Sequence, residues 1–344
     1  MKQKRPFLLG TISVLLLFIF LEIVARLALF VMGFSFWTPG KAFTEKFYPE
    51  LLPIVKTDIT ATDGYRDVLL LGGSVVSTEY SQMDRRLQQL LNADTAKNRP
   101  KVRVFNAARP SHTSLDNRIK YEYLTDKHFD LVIYYEAINE NRANNVAQSD
   151  FLPNYQHILW YYDLNLIQKH REMNFTVLPY LIHKGVGILL RKLQGKALLN
   201  REAVYPAQNV FGKDIKTAKP FYDNFAKIVA LAKQRNAQIL PVTYAVYFPK
   251  SVQEKGGGAD YSEFTNCRGP SPLGLWGDPA NVREGVRQHN LALKKIASIN
   301  ALTICDMDSL MPRQKRYYCD LCHLSPEGAA LFSRLLAKSM VFKN

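Results

Sequence analysis

Four short segments of this 344-residue chain carry side chains suited to one kind of chemistry. Leu71-Gly72-Gly73-Ser74 sets a serine hydroxyl directly after a glycine turn. Asn106-Ala107-Ala108 and Ala137-Ile138-Asn139-Glu140 each supply an asparagine just after an apolar run. An asparagine amide is a neutral N–H donor that holds an oxyanion without titrating. Asp320-Leu321-Cys322-His323 puts a carboxylate three residues before an imidazole, so the acid can hold one ring nitrogen while the other faces a hydroxyl. A serine hydroxyl attacks an ester only when a base takes its proton, and an oriented imidazole is such a base. Singly, Gly-Gly-Ser is an ordinary turn, a loop asparagine a turn residue and Asp-x-x-His a helix cap. Their coincidence is what points to acyl chemistry.

The elements that must position these groups alternate along the chain. Val68–Leu71, Val102–Phe105, Leu131–Tyr135, Ile239–Tyr244 and Leu302–Cys305 are short apolar runs that read as strands. Between them lie helical patterns: Met83, Leu87, Leu90 and Leu91; Phe221, Phe225, Ile228, Val229 and Ala232; Val286, Leu291, Leu293 and Ile296. Such alternation predicts a mostly parallel sheet covered on both faces. Ser325-Pro326 opens a final helix as N-cap and first-turn proline, with Ala329, Leu331, Phe332, Leu335 and Leu336 inward. In an open parallel sheet, ligands sit beyond the carboxyl ends of the strands, where the serine and both asparagines fall.

These residues resemble the SGNH hydrolases, or GDSL-like lipases and esterases, over residues 66–342. The matching blocks are Leu71-Gly72-Gly73-Ser74, Asn106-Ala107-Ala108, Ala137-Ile138-Asn139-Glu140 and Asp320-x-x-His323-Leu-Ser-Pro-Glu-Gly, the last the most specific. The resemblance implies a flavodoxin-like three-layer α/β/α fold with a parallel sheet, here preceded by an N-terminal transmembrane helix. It implies Ser74 as nucleophile, His323 as base and Asp320 as its orienting carboxylate. Asn139 and the backbone N–H groups of Ser74 and Ala108 would form the oxyanion hole, with no metal and no cofactor. Gly73 stands where the family usually has aspartate, Ala108 and Ala137 where it has glycine, and Glu140 where it has aspartate. The apolar leader resembles that of membrane-anchored bacterial members.

Lys and Arg outnumber Asp and Glu by 45 to 30, a formal +15, in a chain that is 47% hydrophobic and 22% charged. That composition builds a core and excludes a mainly disordered chain. No basic block or basic-aromatic repeat marks a nucleic-acid surface; the expected partners are the lipid bilayer, an acylated glycan or lipid substrate, and envelope proteins. Residues 1–6, with Lys2, Lys4 and Arg5, read as a cytoplasmic tail, and 7–37 as a signal anchor whose only charges are Glu22 and Arg26. Gly33-Phe34-Ser35 is a poor cleavage site, which favours an uncleaved anchor. The expectation is a single-pass protein of the inner membrane, N-terminus cytoplasmic and the bulk periplasmic. Residues 38–66 read as an exposed connector and 67–344 as the hydrolase-like domain. Within that domain, 150–220 is a helical insertion whose Thr176–Leu199 stretch either rests on the membrane or packs on the core. Residues 250–282, with Gly256-Gly257-Gly258, form a long loop of the kind used as lid or substrate loop.

Four cysteines remain. An oxidising compartment favours a disulfide, either Cys319 with Cys322 or Cys267 with Cys305. Cys319-x-x-Cys322-His323 also spells the haem-attachment pattern, and the same three residues offer zinc ligands without an evident fourth. The hydrolase reading explains the Leu-Ser-Pro-Glu-Gly that follows, and haem attachment does not. The reading overall is a serine esterase or O-acyltransferase, with a non-catalytic SGNH-like subunit of an envelope assembly as its alternative.

Overall fold

The computed structural model describes residues 4–41, 46–93, 100–255, 261–267 and 269–342. Lys2 and Gly256-Gly257-Gly258, singled out above, lie outside them. The strands are β1 (Tyr65–Gly72), β2 (Lys101–Asn106), β3 (Leu131–Tyr135) and β4 (Gln238–Pro241). The longer helices are α1 (Lys4–Val31), α2 (Met83–Ala93), α3 (Ser114–Tyr123), α4 (Leu159–Lys169), α5 (Leu178–Leu193), α6 (Ala218–Gln234), α7 (Pro279–Ile299) and α8 (Pro326–Ser339).

The chain divides into two compact units, one of residues 1–52 and 156–200, the other of residues 53–155 and 201–344. The second unit holds the sheet, in order β2-β1-β3-β4 and parallel throughout. Chain order reverses between β1 and β3, and that is where a parallel α/β sheet opens a crevice for a ligand. Alternation of side chains along the strands feeds two cores. Val68, Leu70, Ile133 and Tyr135 pack with Met83 and Leu87 of α2 and Phe332 and Leu336 of α8. On the other face Tyr134 stacks on Phe225 and leans on Phe221 of α6. The result is the three-layer α/β/α arrangement expected.

The fifth strand is cut short. Leu302–Cys305 contributes a single parallel bridge, Cys305 to Val242, made by Cys305 N–H to Pro241 O and Thr243 N–H to Cys305 O, both at 3.0 Å. β4 likewise ends at Pro241 instead of reaching Tyr244. Val242 N–H still donates to Tyr134 O at 2.9 Å, and pairing stops at Tyr244, where the Asn290 side chain of α7 accepts from Tyr244 N–H at 2.7 Å and donates to Tyr244 O at 3.0 Å. Both backbone groups of Tyr244 are thereby taken out of any ladder. Leu90 and Leu291, expected inward, are exposed. Residues 38–66 are not an exposed connector: Phe47, Tyr48, Leu51, Ile54 and Ile59 are buried, because aromatic and aliphatic side chains are costly to leave in water.

The first unit combines α1 with α4 and α5. Leu9–Val31 of α1 is long and apolar enough to cross a membrane, with a mean hydropathy of 2.7. Phe47 and Tyr48 pack edge-on against Trp160 of α4. Residues 201–220 of the stretch read as an insertion belong instead with the sheet.

Candidate active site

The site is assembled at the carboxyl ends of β1 and β3. β1 ends at Gly72, and Ser74 opens a single 3-10 turn through Val76. As the first residue of that turn, Ser74 directs its N–H away from the turn's own hydrogen bonds. The register pairs Gly72 with Tyr135, which sets residue 136 beside residue 73. The structure shows why residue 73 is glycine here. A Cβ on Gly73 would lie 2.5 Å from Glu136 Oε2 and 2.7 Å from Asn139 Nδ2. The space in which the family's aspartate would sit is filled by Glu136.

From the other end of the chain, Asp320 and His323 close on Ser74. His323 Nε2 is 2.7 Å from Ser74 Oγ, and its Nδ1 is 2.7 Å from Asp320 Oδ2. Asp320 is fully buried and accepts further from three backbone groups: Cys322 and His323 N–H on Oδ1 at 3.0 and 2.9 Å, and Ser271 N–H on Oδ2 at 2.8 Å. Burial alone would raise this carboxyl, but the adjoining His323 and the backbone donors outweigh it and hold it below its ordinary value. Asp320 is therefore an anion at neutral pH, which keeps the proton on His323 Nδ1 and leaves Nε2 to accept from the serine. Tyr80 stacks on the imidazole at 4.6 Å between centroids.

Asn139 lies in a 3-10 turn after β3. Trp276 Nε1–H, which can only donate, reaches Asn139 Oδ1 at 3.1 Å and so fixes the amide with Nδ2 as the donor end. That Nδ2 donates to His112 O at 2.9 Å and lies 3.4 Å from Glu136 Oε1. The Ala108 N–H donates to Asn106 Oδ1 at 2.9 Å, so its hydrogen bond is satisfied locally. Ser74, Asn139, His323 and Asp320 are thus brought together, while Ala108 is turned to its own loop. Neither alanine at a usual glycine position is strained: Ala137 has an extended φ of −169° and Ala108 has no positive φ.

Glu136 and Glu140 escaped the sequence reading as titrating groups. Both are fully buried. Burial, followed by the nearby Glu140, pushes the Glu136 carboxyl well above the carboxylate range, and its Oε2 has no hydrogen-bond partner among the described residues. Burial likewise pushes Glu140 up to about 7, partly offset by the Ser114 N–H that it accepts. A buried carboxyl group, biased by burial toward its protonated form, thus stands beside the Gly73-Ser74 backbone.

The long loop contributes more than a cover. Ser271 and Trp276 supply the contacts above, and Cys267 forms a disulfide with Cys319. Neither expected pairing, Cys319 with Cys322 or Cys267 with Cys305, is present. Cys322 is buried behind the imidazole, its Sγ 3.8 Å from His323 Nδ1, and Cys305 is held in the bridge to Val242. With its sulfur in the disulfide, Cys319 has no thiol to give to haem or zinc. The ligand atoms of Asp320, Cys322 and His323 do lie within 4.8 Å of one another. Burial keeps the Cys322 thiol protonated, and a metal there would have to take His323 Nδ1 from Asp320. A cavity of about 310 Å³ opens beside His323, lined by Tyr80, Gln82, Arg86, Pro270 and the Cys267–Cys319 disulfide. Ser74, Asn139 and the Asp-x-x-His pair are legible in the sequence; Tyr80, Ser271 and Trp276 carry no local signal, since each acts across a long separation.

No family model matches the chain, and no curated protein matches it. Solved structures do. A GDSL-like lipase from Bacteroides thetaiotaomicron is 10% identical, covering 86% of this chain and 97% of its own, with a TM-score of 0.47. A lipase/acylhydrolase from Enterococcus faecalis is 14% identical, covering 79% and 94%, with a TM-score of 0.40. An acetyl xylan esterase from Geobacillus stearothermophilus is 12% identical, covering 81% and 96%, with a TM-score of 0.44. By its sheet order the chain has a parallel three-layer α/β/α fold, and a serine, a histidine and an aspartate meet at the carboxyl ends of its strands.

Proposed function

We propose that this chain is a membrane-anchored, extracytoplasmic serine esterase that works through an acyl-serine intermediate. The observation that carries the reading is the continuous chain Ser74 Oγ, His323 Nε2, His323 Nδ1, Asp320 Oδ2, with both links at 2.7 Å and the serine 249 residues from the histidine. Two groups so far apart in sequence meet at bonding distance only where the fold holds them there.

In the reaction, Ser74 Oγ attacks the ester carbonyl carbon as its proton passes to His323 Nε2. Asp320 stabilises the imidazolium that forms, and the Tyr80 face lies against it. The carbonyl oxygen, now an anion, is met by the Ser74 N–H and by Asn139 Nδ2, which exchanges its long 3.4 Å hydrogen bond to Glu136 Oε1 for the stronger one to the oxyanion. Collapse expels the alcohol, which takes the proton from His323, and leaves the acyl-serine. Water then attacks with His323 again as base, releasing the carboxylic acid. A sugar hydroxyl admitted in place of water turns the same intermediate to acyl transfer.

Lys2, Lys4 and Arg5, ahead of the apolar span Leu9–Val31, favour a cytoplasmic N-terminus with the sheet-bearing unit outside, at the inner membrane. The surplus of positive charge favours acidic glycan or lipid esters of the envelope as substrates. The test is covalent labelling of the full chain with a fluorophosphonate probe. Labelling is expected in the wild type and in Ser298→Ala, on the last turn of α7, and is expected to vanish in Ser74→Ala. Folded wild-type protein that takes no label would overturn the proposal in favour of a non-catalytic envelope subunit.

A further inference from the structure

The first unit contains a helix whose polarity is reversed. Tyr180, Lys184, Gly187 and Arg191 of α5 recur at helical spacing and form the side turned to the protein: Tyr180 is buried and the other three are half-buried. Lys184 Nζ pairs with Asp163 Oδ1 of α4 at 2.8 Å, and the Arg191 guanidinium lies 5.3 Å from the centre of the Tyr162 ring. At Gly187 the helices approach so closely that a Cβ would meet the Tyr162 hydroxyl oxygen at 2.0 Å. Two residues on, and hence on the opposite side, the same spacing gives Ile182, Val186, Leu189 and Leu193, each at least half exposed. A helix on a water-soluble surface does the reverse, burying its apolar stripe and exposing its charges.

What covers the apolar stripe is indicated by how α5 begins. Glu22 of α1 accepts from Val177 N–H at 3.0 Å and from the Thr176 hydroxyl at 2.9 Å. Arg26, paired with Glu22 at 2.7 Å, donates to the carbonyls of Asn174 and Phe175 at 3.2 and 3.0 Å. The two charges in α1 therefore satisfy the backbone at the entry to α5, and a carboxylate at a helix N-terminus is favourable. Glu22 stands nine residues before Val31, so α5 starts about 13 Å inside the carboxyl end of the apolar helix. At that depth, polar groups must be matched within the protein, as these are. The exposed apolar surfaces of α1 and α5 are joined at this point.

We propose that α5 lies in the bilayer crossed by α1, in the leaflet that contains the carboxyl-terminal half of α1, with acyl chains covering the stripe Ile182, Val186, Leu189 and Leu193. Within residues 1–52 and 156–200, α1 and α5 then form a two-helix membrane element instead of a single anchor, and the Glu22–Arg26 pair is the polar joint between them. The proposal rests on α1 spanning the membrane, and the test reports on that separately.

Full-length protein is reconstituted into vesicles of phosphatidylethanolamine and phosphatidylglycerol with a nitroxide at Leu189→Cys, or at Leu16→Cys in α1. Collisional relaxation by oxygen, which partitions into lipid, is compared with that by a water-soluble nickel chelate. Both labels are expected to relax several-fold more with oxygen than with nickel. Nickel dominance at position 189 with oxygen dominance at position 16 would overturn the assignment of α5 while leaving the anchor standing. Nickel dominance at both would show that α1 does not span. Protection of position 189 from both agents, with spin–spin broadening between labels, would mean that a second copy covers the stripe and would equally refute lipid contact. The readout is independent of esterase activity.

Discussion

Replacing Asp320 by asparagine isolates the part of the site that sets the state of the base. Asp320 accepts four hydrogen bonds, and every donor is fixed: three backbone N–H groups and His323 Nδ1. If the asparagine oxygen keeps the Cys322 and His323 N–H groups, its NH₂ takes the place of Oδ2 and confronts Ser271 N–H and His323 Nδ1. Ser271 N–H then loses its acceptor, which costs about 1–3 kcal/mol of stability. The larger effect is on the imidazole. Facing a donor, Nδ1 must accept, so the ring proton moves to Nε2, and the nitrogen 2.7 Å from Ser74 Oγ no longer has a lone pair to offer. In a Ser-His-Asp arrangement, this tautomer change lowers the rate by roughly 10⁴-fold, or about 5–6 kcal/mol of barrier. The assay is the burst of p-nitrophenolate from p-nitrophenyl acetate, run beside a denaturant titration so that folded protein is compared with folded protein. Because Asp320 is already an anion well below neutral pH, the wild type gains no such step by being moved to acid, and raising the pH does not rescue the variant. An Asp320→Asn protein that folds and keeps its rate within tenfold of wild type would refute the assignment of Asp320 as the orienting group.

Gly73→Ala is expected to cost about 1–3 kcal/mol through overpacking and to slow acylation, since the new methyl strikes Glu136 Oε2 and Asn139 Nδ2; unchanged stability and rate would mean that both side chains move aside freely. The pH dependence of stability follows from four buried groups. His289, brought down to about 3 by burial, and His112, lowered by burial and then by Lys120, take up protons on unfolding and lose stability as pH falls below their ordinary 6.5. Glu136 and Glu140, raised by burial, release protons on unfolding and lose stability as pH rises above their ordinary 4.5. The two pairs oppose each other between those values. Glu140 stops contributing above about 7, and Glu136, raised chiefly by burial, carries the loss of stability further toward alkaline pH. Denaturant titrations of wild type and Glu136→Gln from pH 5 to 8 check this: stability is expected to fall less with rising pH in the variant, and equal falls would refute the role of Glu136.

The sequence by itself determined the local parts. Apolar runs of strand length, the amphipathic spacing of α6 and the Ser325-Pro326 start of α8 are properties of neighbouring residues, and short-range sterics and burial are enough to express them. The Asp-x-x-His spacing belongs to the same class, because three residues are within reach of one loop. The tertiary structure decided what depends on long separations. It placed Ser74 against His323, put Glu136 where a side chain at position 73 would go, and let Asn290 take Tyr244 out of the sheet. It joined Cys267 to Cys319 and turned the polar side of α5 inward. Each of these is a contact between segments tens to hundreds of residues apart. Such contacts are set by which surfaces exclude water together and which buried polar groups find partners, and neither is written in any one stretch of the chain.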